Sequence, residues 1–251
     1  MLDTAGERLC VALCEPSGAR RWHDEAGGPR ASARLLPVAR GLLDAAGLTW
    51  ARLDGIAFGR GPGAFTGLRT ACSVAQGLGF GLDRPLLPLD CLMLVAEAAR
   101  LEAAAGDPAR LAAPPGEDFA CWAAVDARMD EIYAAAYGRR AGAWQVIAAP
   151  ALYAADALAA RWRADAPAVA AGNALSRFAG RLPSPARAVD GDARRAEALA
   201  TLALERWALG EAVPAEQALP LYLRDKVALT TAERAQRPAP ATAGAAAPTA
   251  S

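Results

Sequence analysis

The side chains that carry most enzyme chemistry are almost missing, because the 251-residue chain has a single histidine, His23, and a single lysine, Lys226. A metal centre with several imidazole ligands cannot be built from one histidine, and a Ser-His-Asp or Cys-His system would have to use His23. That residue stands in a polar stretch, Arg21 to Glu25, that reads as the exposed end of a strand. A Walker A loop needs a lysine directly after its glycines, whereas Lys226 lies in Leu-Arg-Asp-Lys-Val-Ala near the C-terminus, so P-loop hydrolysis is ruled out. Five cysteines (Cys10, Cys14, Cys72, Cys91, Cys121) include no C-x-x-C pair and read as buried thiols. The carboxylates Asp126, Asp130 and Glu131 cluster at one short link, where general acid/base work and ordinary turn chemistry both fit.

The strongest local signal is Gly59-Arg-Gly-Pro-Gly-Ala-Phe-Thr-Gly-Leu-Arg69, a glycine-rich turn between a predicted strand and a predicted helix. Amides at a helix N-terminus can hold an anion, with Arg60 and Arg69 adding charge, and a purely structural close approach explains the glycines as well. The spacing fails the dinucleotide fingerprint, since no phase of these glycines gives G-x-G-x-x-G.

Periodicity supplies the elements around these residues. Strands are expected at Leu9 to Cys14, up to Asp24, at Ile56 to Phe58 and at Leu86 to Leu89, with helices over Arg30 to Ala46, Thr66 to Phe80 and Leu92 to Ala104. A second strand set follows: Phe119 to Val125, Glu131 to Tyr137 and Trp144 to Ala148. Helices at Tyr153 to Ala164 and Arg194 to Leu209 then flank a small strand at Ala168 to Ala171. Two runs that each open with antiparallel strands suggest a duplicated α/β unit with a cleft between the copies. The expected organisation is an N-terminal lobe over residues 1–104, completed by segment 190–228, a second lobe over 105–189, and a disordered tail of Ala, Pro and Thr over 232–251.

In the first helix Leu35, Leu36, Val38, Ala39, Leu42, Leu43 and Ala46 span roughly 160° of the wheel, more than one-sided burial requires. Part of that stripe can meet a partner, although burial within one domain explains it equally. In the next helix Leu68, Ala71, Cys72, Ala75 and Leu78 form a core face, and Thr70, Ser73 and Gly77 leave the other side thin enough for another helix to approach. Gly77 and Gly79 each cost about 1 kcal/mol against Ala, which calls for a steric reason.

No run reaches the roughly 18 apolar residues of a membrane helix, and the acidic start is unlike a secretory signal, so a cytoplasmic protein is expected. Lys and Arg balance Asp and Glu at zero net charge, so the field of a protein that grips nucleic acid alone is missing.

The segment Gly61-Pro62-Gly63-Ala-Phe65-Thr66-Gly67-Leu-Arg69 resembles the signature loop and helix of the TsaB/YeaZ family. Other matches follow in order across residues 2 to about 228: Asp3-Thr4-Ala5, Arg34-Leu-Leu-Pro37, Asp54 to Gly59, Asp126 to Tyr133, Gly172-Asn173 and Leu219 to Ala228. The resemblance implies a two-lobed actin-like fold of the sugar-kinase and Hsp70 kind, with Asp3, Asp126 and Gly172 as degenerate cleft positions. It also implies a non-catalytic scaffold that binds a TsaD-type catalytic subunit, joined by a TsaE-type ATPase, in threonylcarbamoylation of the tRNA adenosine beside the anticodon.

On that resemblance the contact uses the first two helices, with Leu35, Leu36, Ala39, Leu42, Leu43, Ala46, Thr70, Ser73 and Gly77 as partner-binding residues. ATP or ADP and a metal ion belong to the partner subunits or the subunit junction, and the chain has no cofactor or metal of its own. It reaches tRNA only through the complex, and a homodimer of the isolated chain is compatible with exposed apolar helices. The TsaD-type relative needs an H-x-x-x-H pair, which one histidine cannot supply. The rivals are a glycoprotease-like hydrolase and a nucleotide-dependent kinase of the same fold, whose base would be Asp3 or Asp126. Two departures stand out: the family's first strand has more residues before Asp3, which is expected to weaken an edge strand, and Ala31 replaces a histidine common before Arg-Leu-Leu-Pro.

Overall fold

The computed structural model describes residues 1–28, 30–105 and 119–224. Most of the expected linker after Ala105 and the expected tail lie outside the described residues. The first repeat runs β1 (Leu2–Asp3), β2 (Arg8–Cys14), β3 (Arg20–Ala26), α1 (Ala31–Ala45), β4 (Ile56–Gly61), α2 (Phe65–Leu82), β5 (Leu86–Asp90) and α3 (Cys91–Ala105). The second runs β6 (Phe119–Arg128), β7 (Glu131–Arg140), β8 (Ala143–Ala154), α4 (Ala155–Asp165), β9 (Val169–Ala171), α5 (Ala174–Arg177), β10 (Arg187–Val189) and α6 (Arg195–Ala208).

Each repeat forms one five-stranded sheet, in the orders β3-β2-β1-β4-β5 and β8-β7-β6-β9-β10. In both, the first three strands pair antiparallel and the last two add in parallel to the first strand. The second sheet is therefore a topological copy of the first, which is the duplicated α/β unit expected from the pattern.

Strand alternation fixes the layers. Leu9 and Val11 of β2 and Ile56 and Phe58 of β4 pack outward with Leu35, Val38 and Ala39 of α1 and Cys72 and Ala75 of α2. Cys10 and Ala57 point the other way, into a central core with Leu92, Leu94 and Ala96 of α3, Leu199 and Leu202 of α6, and Cys121, Ala135 and Tyr137 of the second sheet. Trp122, Ala124 and Ile132 face a third cluster with Leu158 and Trp162 of α4 and Phe178. The result is five layers: α1 and α2, the first sheet, α3 and α6, the second sheet, α4 and α5. Helix α3 is buried along almost its whole circumference, as a middle layer demands. Asp90 starts it by accepting the amides of Leu92 (2.9 Å) and Met93 (3.4 Å).

The two middle helices are exchanged: α3 of the first repeat also lies on β6 and β7, and α6 of the second lies on β2, β3 and β5. Buried charges mark both crossings. Glu97 on α3, fully buried, bonds Trp144 Nε1 of β8 at 3.0 Å and Arg100 at 2.7 Å. Arg195 on α6, 3% exposed, bonds Asp3 of β1 at 2.6 Å.

Three expectations need correction. Strand β1 is the central strand of its sheet, not an edge, because β2 and β4 flank it. The helix expected from Tyr153 begins at Ala155: β8 continues through Pro150, tolerated because β8 is an outer strand and an outer strand has a free amide side. The link expected over Asp126 to Asp130 is tighter, with β6 reaching Arg128 and β7 starting at Glu131.

Candidate functional site

Two features stand out: a cleft between the repeats and the outer face of α1 and α2. The cleft, of about 660 Å³, is bordered by Ala5, Gly63, Asp126, Gly172, Arg195 and Tyr222, among others. Asp126 and Gly172 line this cleft, whereas Asp3 is not among its lining residues and has no exposed surface.

Both oxygens of Asp3 are occupied. Oδ2 accepts from Arg195 Nε, and Oδ1 accepts the amide of Ala5 at 3.0 Å. Burial works against the Arg195 charge, but Asp3, Cys91 and Asp192 more than offset it and raise its pKa above the ordinary guanidinium value. Asp126 is also committed: Oδ1 accepts the amide of Arg128 at 2.9 Å, and Oδ2 pairs with the Arg128 guanidinium at 3.2 Å. The Asp126 amide donates to Asn173 Oδ1 at 2.8 Å, and Asn173 Nδ2 reaches Glu7 Oε1 at 3.1 Å, tying the two rims together. Asp130 is bound to Arg181 at 2.5 Å, which holds its carboxyl below the usual range. Asp3 thus has no surface on the cleft, and Asp126 reaches it with a partner already on each oxygen.

The glycine-rich loop is packed onto the β1 turn. A Cβ at Gly59 would overlap the Asp3 carboxylate, one at Gly63 the Ala5 carbonyl, and one at Gly67 the Thr4 carbonyl. Gly61 has φ +110°, where L side chains are strained, and a Cβ there would also overlap Leu68. The Ala64 amide donates to Ala5 O at 2.7 Å and Thr4 Oγ1 donates to Gly67 O at 2.6 Å. Backbone contact accounts for Gly63 and Gly67, the buried Asp3 carboxylate for Gly59, and the left-handed φ with the Leu68 side chain for Gly61. Burial likewise pushes all five thiols above their ordinary pKa, Cys121 to about 12, as packing cysteines require.

On the outer face the nine residues read as partner-binding divide. Leu35 (0% exposed), Ala39 (6%) and Leu43 (2%) belong to the chain's own core, so they cannot touch a partner while the fold is intact. Their side of the helix meets the first sheet, and an Arg at Leu43 would break the fold before it broke a complex. Leu36 and the thin side of α2 remain available: Leu36, Ser73 and Gly77 are exposed, and Leu42, Ala46 and Thr70 are half-buried. A shallow groove runs between the helices, lined by Ser32, Phe65, Thr66, Arg69, Thr70 and Ser73.

Gly77 and Gly79 of α2 differ in their surroundings. A Cβ at Gly79 would meet Leu86 Cδ2 at 2.9 Å and Ala215 Cβ at 3.1 Å, whereas one at Gly77 would meet nothing within 4 Å. Phe80, 63% exposed, escaped the sequence reading because it ends the predicted helix, where its facing could not be assigned. Phe65 is covered on one side by Arg69, whose guanidinium lies 3.7 Å from the ring centroid and which also donates to Tyr222 Oη at 3.0 Å.

A family model described as TsaD, tRNA N6-adenosine threonylcarbamoyltransferase, matches residues 20–185. The tRNA threonylcarbamoyladenosine biosynthesis protein TsaB of Haemophilus influenzae is 37% identical over 132 residues, which span 53% of this chain and half of that protein. Its counterpart in Escherichia coli is 30% identical over 237 residues, covering 90% of this chain and 94% of the relative. A crystal structure of a Pseudomonas aeruginosa protein described as similar to peptidase YeaZ superposes with a TM-score of 0.75 at 41% identity, over 89% of this chain and 97% of the other. Because the match to E. coli TsaB runs nearly end to end and the superposition carries the same duplicated, actin-like α/β fold, the chain belongs to the TsaB/YeaZ family of tRNA threonylcarbamoyladenosine biosynthesis proteins.

Proposed function

We propose that the chain is a non-catalytic subunit that docks onto a TsaD-type tRNA threonylcarbamoyltransferase through α1 and α2 and stabilises it in its active form. The observation that carries this reading is the open stripe Thr66, Thr70, Ser73 and Gly77 on α2, set between exposed Phe65 and Phe80 and beside exposed Leu36. Small residues let a partner helix approach closely, and flanking aromatics supply the area that anchors an interface. The burial of Asp3 and the partners on both Asp126 oxygens speak against the kinase reading, whose base would be one of these two.

On this reading nucleotide and metal chemistry reside in the catalytic subunit, in a TsaE-type ATPase or at their junction, and tRNA is held mainly by those partners. Zero net charge supports that division. The same face accounts for self-association of the isolated chain when no partner is present.

The test is tRNA threonylcarbamoylation by the TsaD-type enzyme and its accessory proteins with this chain added or omitted, alongside size-exclusion chromatography of the mixture. The proposal expects modification and a joint peak that both require this chain. Modification at the same rate without it would remove the scaffold role. Tight binding of ATP and magnesium by the isolated chain in calorimetry would favour the kinase.

A further inference from the structure

After α6 the chain returns to the first repeat and crosses the mouth of the cleft. Gln76 Nε2 donates to the carbonyl of Ala218 at 3.1 Å, the Leu221 amide donates to Arg60 O at 2.7 Å, and residues 221–224 border the cleft. At the near end Tyr222 places its ring 5.7 Å from that of Phe65 and accepts from Arg69 Nε. Phe65 and Arg69 in turn line the groove between α1 and α2. At the far end Arg224 forms an ion pair with Glu131, donates to Arg128 O at 3.3 Å and reaches Met129 Sδ at 3.5 Å.

The far end grips an unusual piece of backbone. Arg128, Met129 and Asp130 have φ of +64°, +55° and +64°, three successive non-glycine residues in the left-handed region. Such conformations persist only where surrounding contacts over-determine them. Here the contacts come from Asp126 within the hairpin, from Arg181 and from Arg224. One six-residue stretch therefore pins a strained hairpin of the second repeat through Arg224 and, two residues earlier, the aromatic rim of the first repeat's outer face through Tyr222.

We infer that residues 219–224 are a strap that couples the hairpin of the second repeat to the docking face, with Tyr222 and Arg224 as its positioning residues. This deepens the proposed function and rests on it: the strap holds Phe65 and Arg69 in the arrangement the catalytic subunit meets, so a change at the hairpin is felt at the interface.

The test uses Arg224→Ala in the full chain, since Arg224 touches neither the groove nor Phe65. Two quantities are read: amide hydrogen exchange of the free chain, and affinity for the TsaD-type subunit. The expected result is faster exchange both at residues 128–131 and at residues 65–69, with affinity lowered roughly tenfold, within the ordinary range of coupling between distinct sites. Arg224→Lys, which keeps the charge opposite Glu131, should recover most of the affinity. Tyr222→Phe keeps the ring against Phe65 and removes only the hydroxyl, so it tests the near end with the fold preserved and should also weaken binding.

Faster exchange confined to the hairpin with unchanged affinity would overturn the coupling, as would weakened affinity without any change at residues 65–69. If the unsubstituted chain does not bind the catalytic subunit, the docking reading itself falls, and the exchange pattern alone then judges the strap.

Discussion

At the same station in each repeat, between the fourth and fifth strands, the first repeat has an 18-residue helix and the second has one of four residues. The strand order on either side is identical, so the difference lies in what the outer layer is for. In the second repeat Trp122, Trp162 and Phe178 fill the space that the short α5 leaves, and the layer closes on itself. In the first, Ala39, Cys72 and Ala75 need little room inside, and the length of α2 goes into a second, outward face. A duplicated frame has thus been divided between one half that completes a core and one half that offers a surface.

The exchanged helices give the largest expected effect. Arg195→Ala would leave Asp3 buried and uncompensated, a loss of about 3–5 kcal/mol, read as a lower urea midpoint. The equivalent crossing should be less sensitive to a conservative change: Glu97→Gln still accepts from Trp144 Nε1, loses the charge paired with the partly exposed Arg100, and costs about 1–2 kcal/mol. Equal losses at the two crossings would break the comparison between α3 and α6.

A smaller effect separates the two faces of α2. Gly79→Ala forces Leu86 or Ala215 to move and should destabilise by about 1–3 kcal/mol. Gly77→Ala meets open space and should stabilise the free chain by up to about 1 kcal/mol through better helix propensity. The open space at Gly77 leaves room for something outside the chain to approach α2 closely. If thermal melts show Gly77→Ala to be destabilising, that argument for the outward face fails.

Much of this was legible beforehand, and the exceptions share a cause. The repeat of antiparallel strands followed by helices could be read because alternation and helical period are local. Asp3 and Arg195 are 192 positions apart, and nothing local in either marks a buried pair. Leu35, Ala39 and Leu43 could not be separated from Leu36 as core because a wide apolar stripe has no visible midline until a sheet covers one side. Helix α5 and strand β10, four and three residues long, are too short to show a period at all. The cleft positions Asp126 and Gly172 came from resemblance, and only their hydrogen bonds reveal that the carboxylate is already in use.

The smallest effect concerns pH, and it sets the junction of the repeats against their outer surface. Asp90 accepts from Tyr137 Oη at 2.6 Å across the junction, and burial raises its pKa above the ordinary carboxylate value despite that bond and the two amides. A carboxyl whose folded pKa lies above its unfolded value binds protons more readily in the folded state, so its contribution to stability is present at low pH and lost as pH rises through the folded value. Glu25, on the outer strand β3, has the opposite sign: bonds from Arg34 and His23 lower it to about 2. Its contribution is present above the unfolded value and lost as pH falls towards 2. Asp90→Asn should therefore gain stability relative to the unsubstituted chain at neutral pH and lose that advantage in acid, whereas Glu25→Gln should lose stability at neutral pH and converge with it in acid. Urea titrations of the three chains between neutral pH and the acid range decide it, and parallel pH profiles for the two variants would show that the junction and the surface are electrostatically alike.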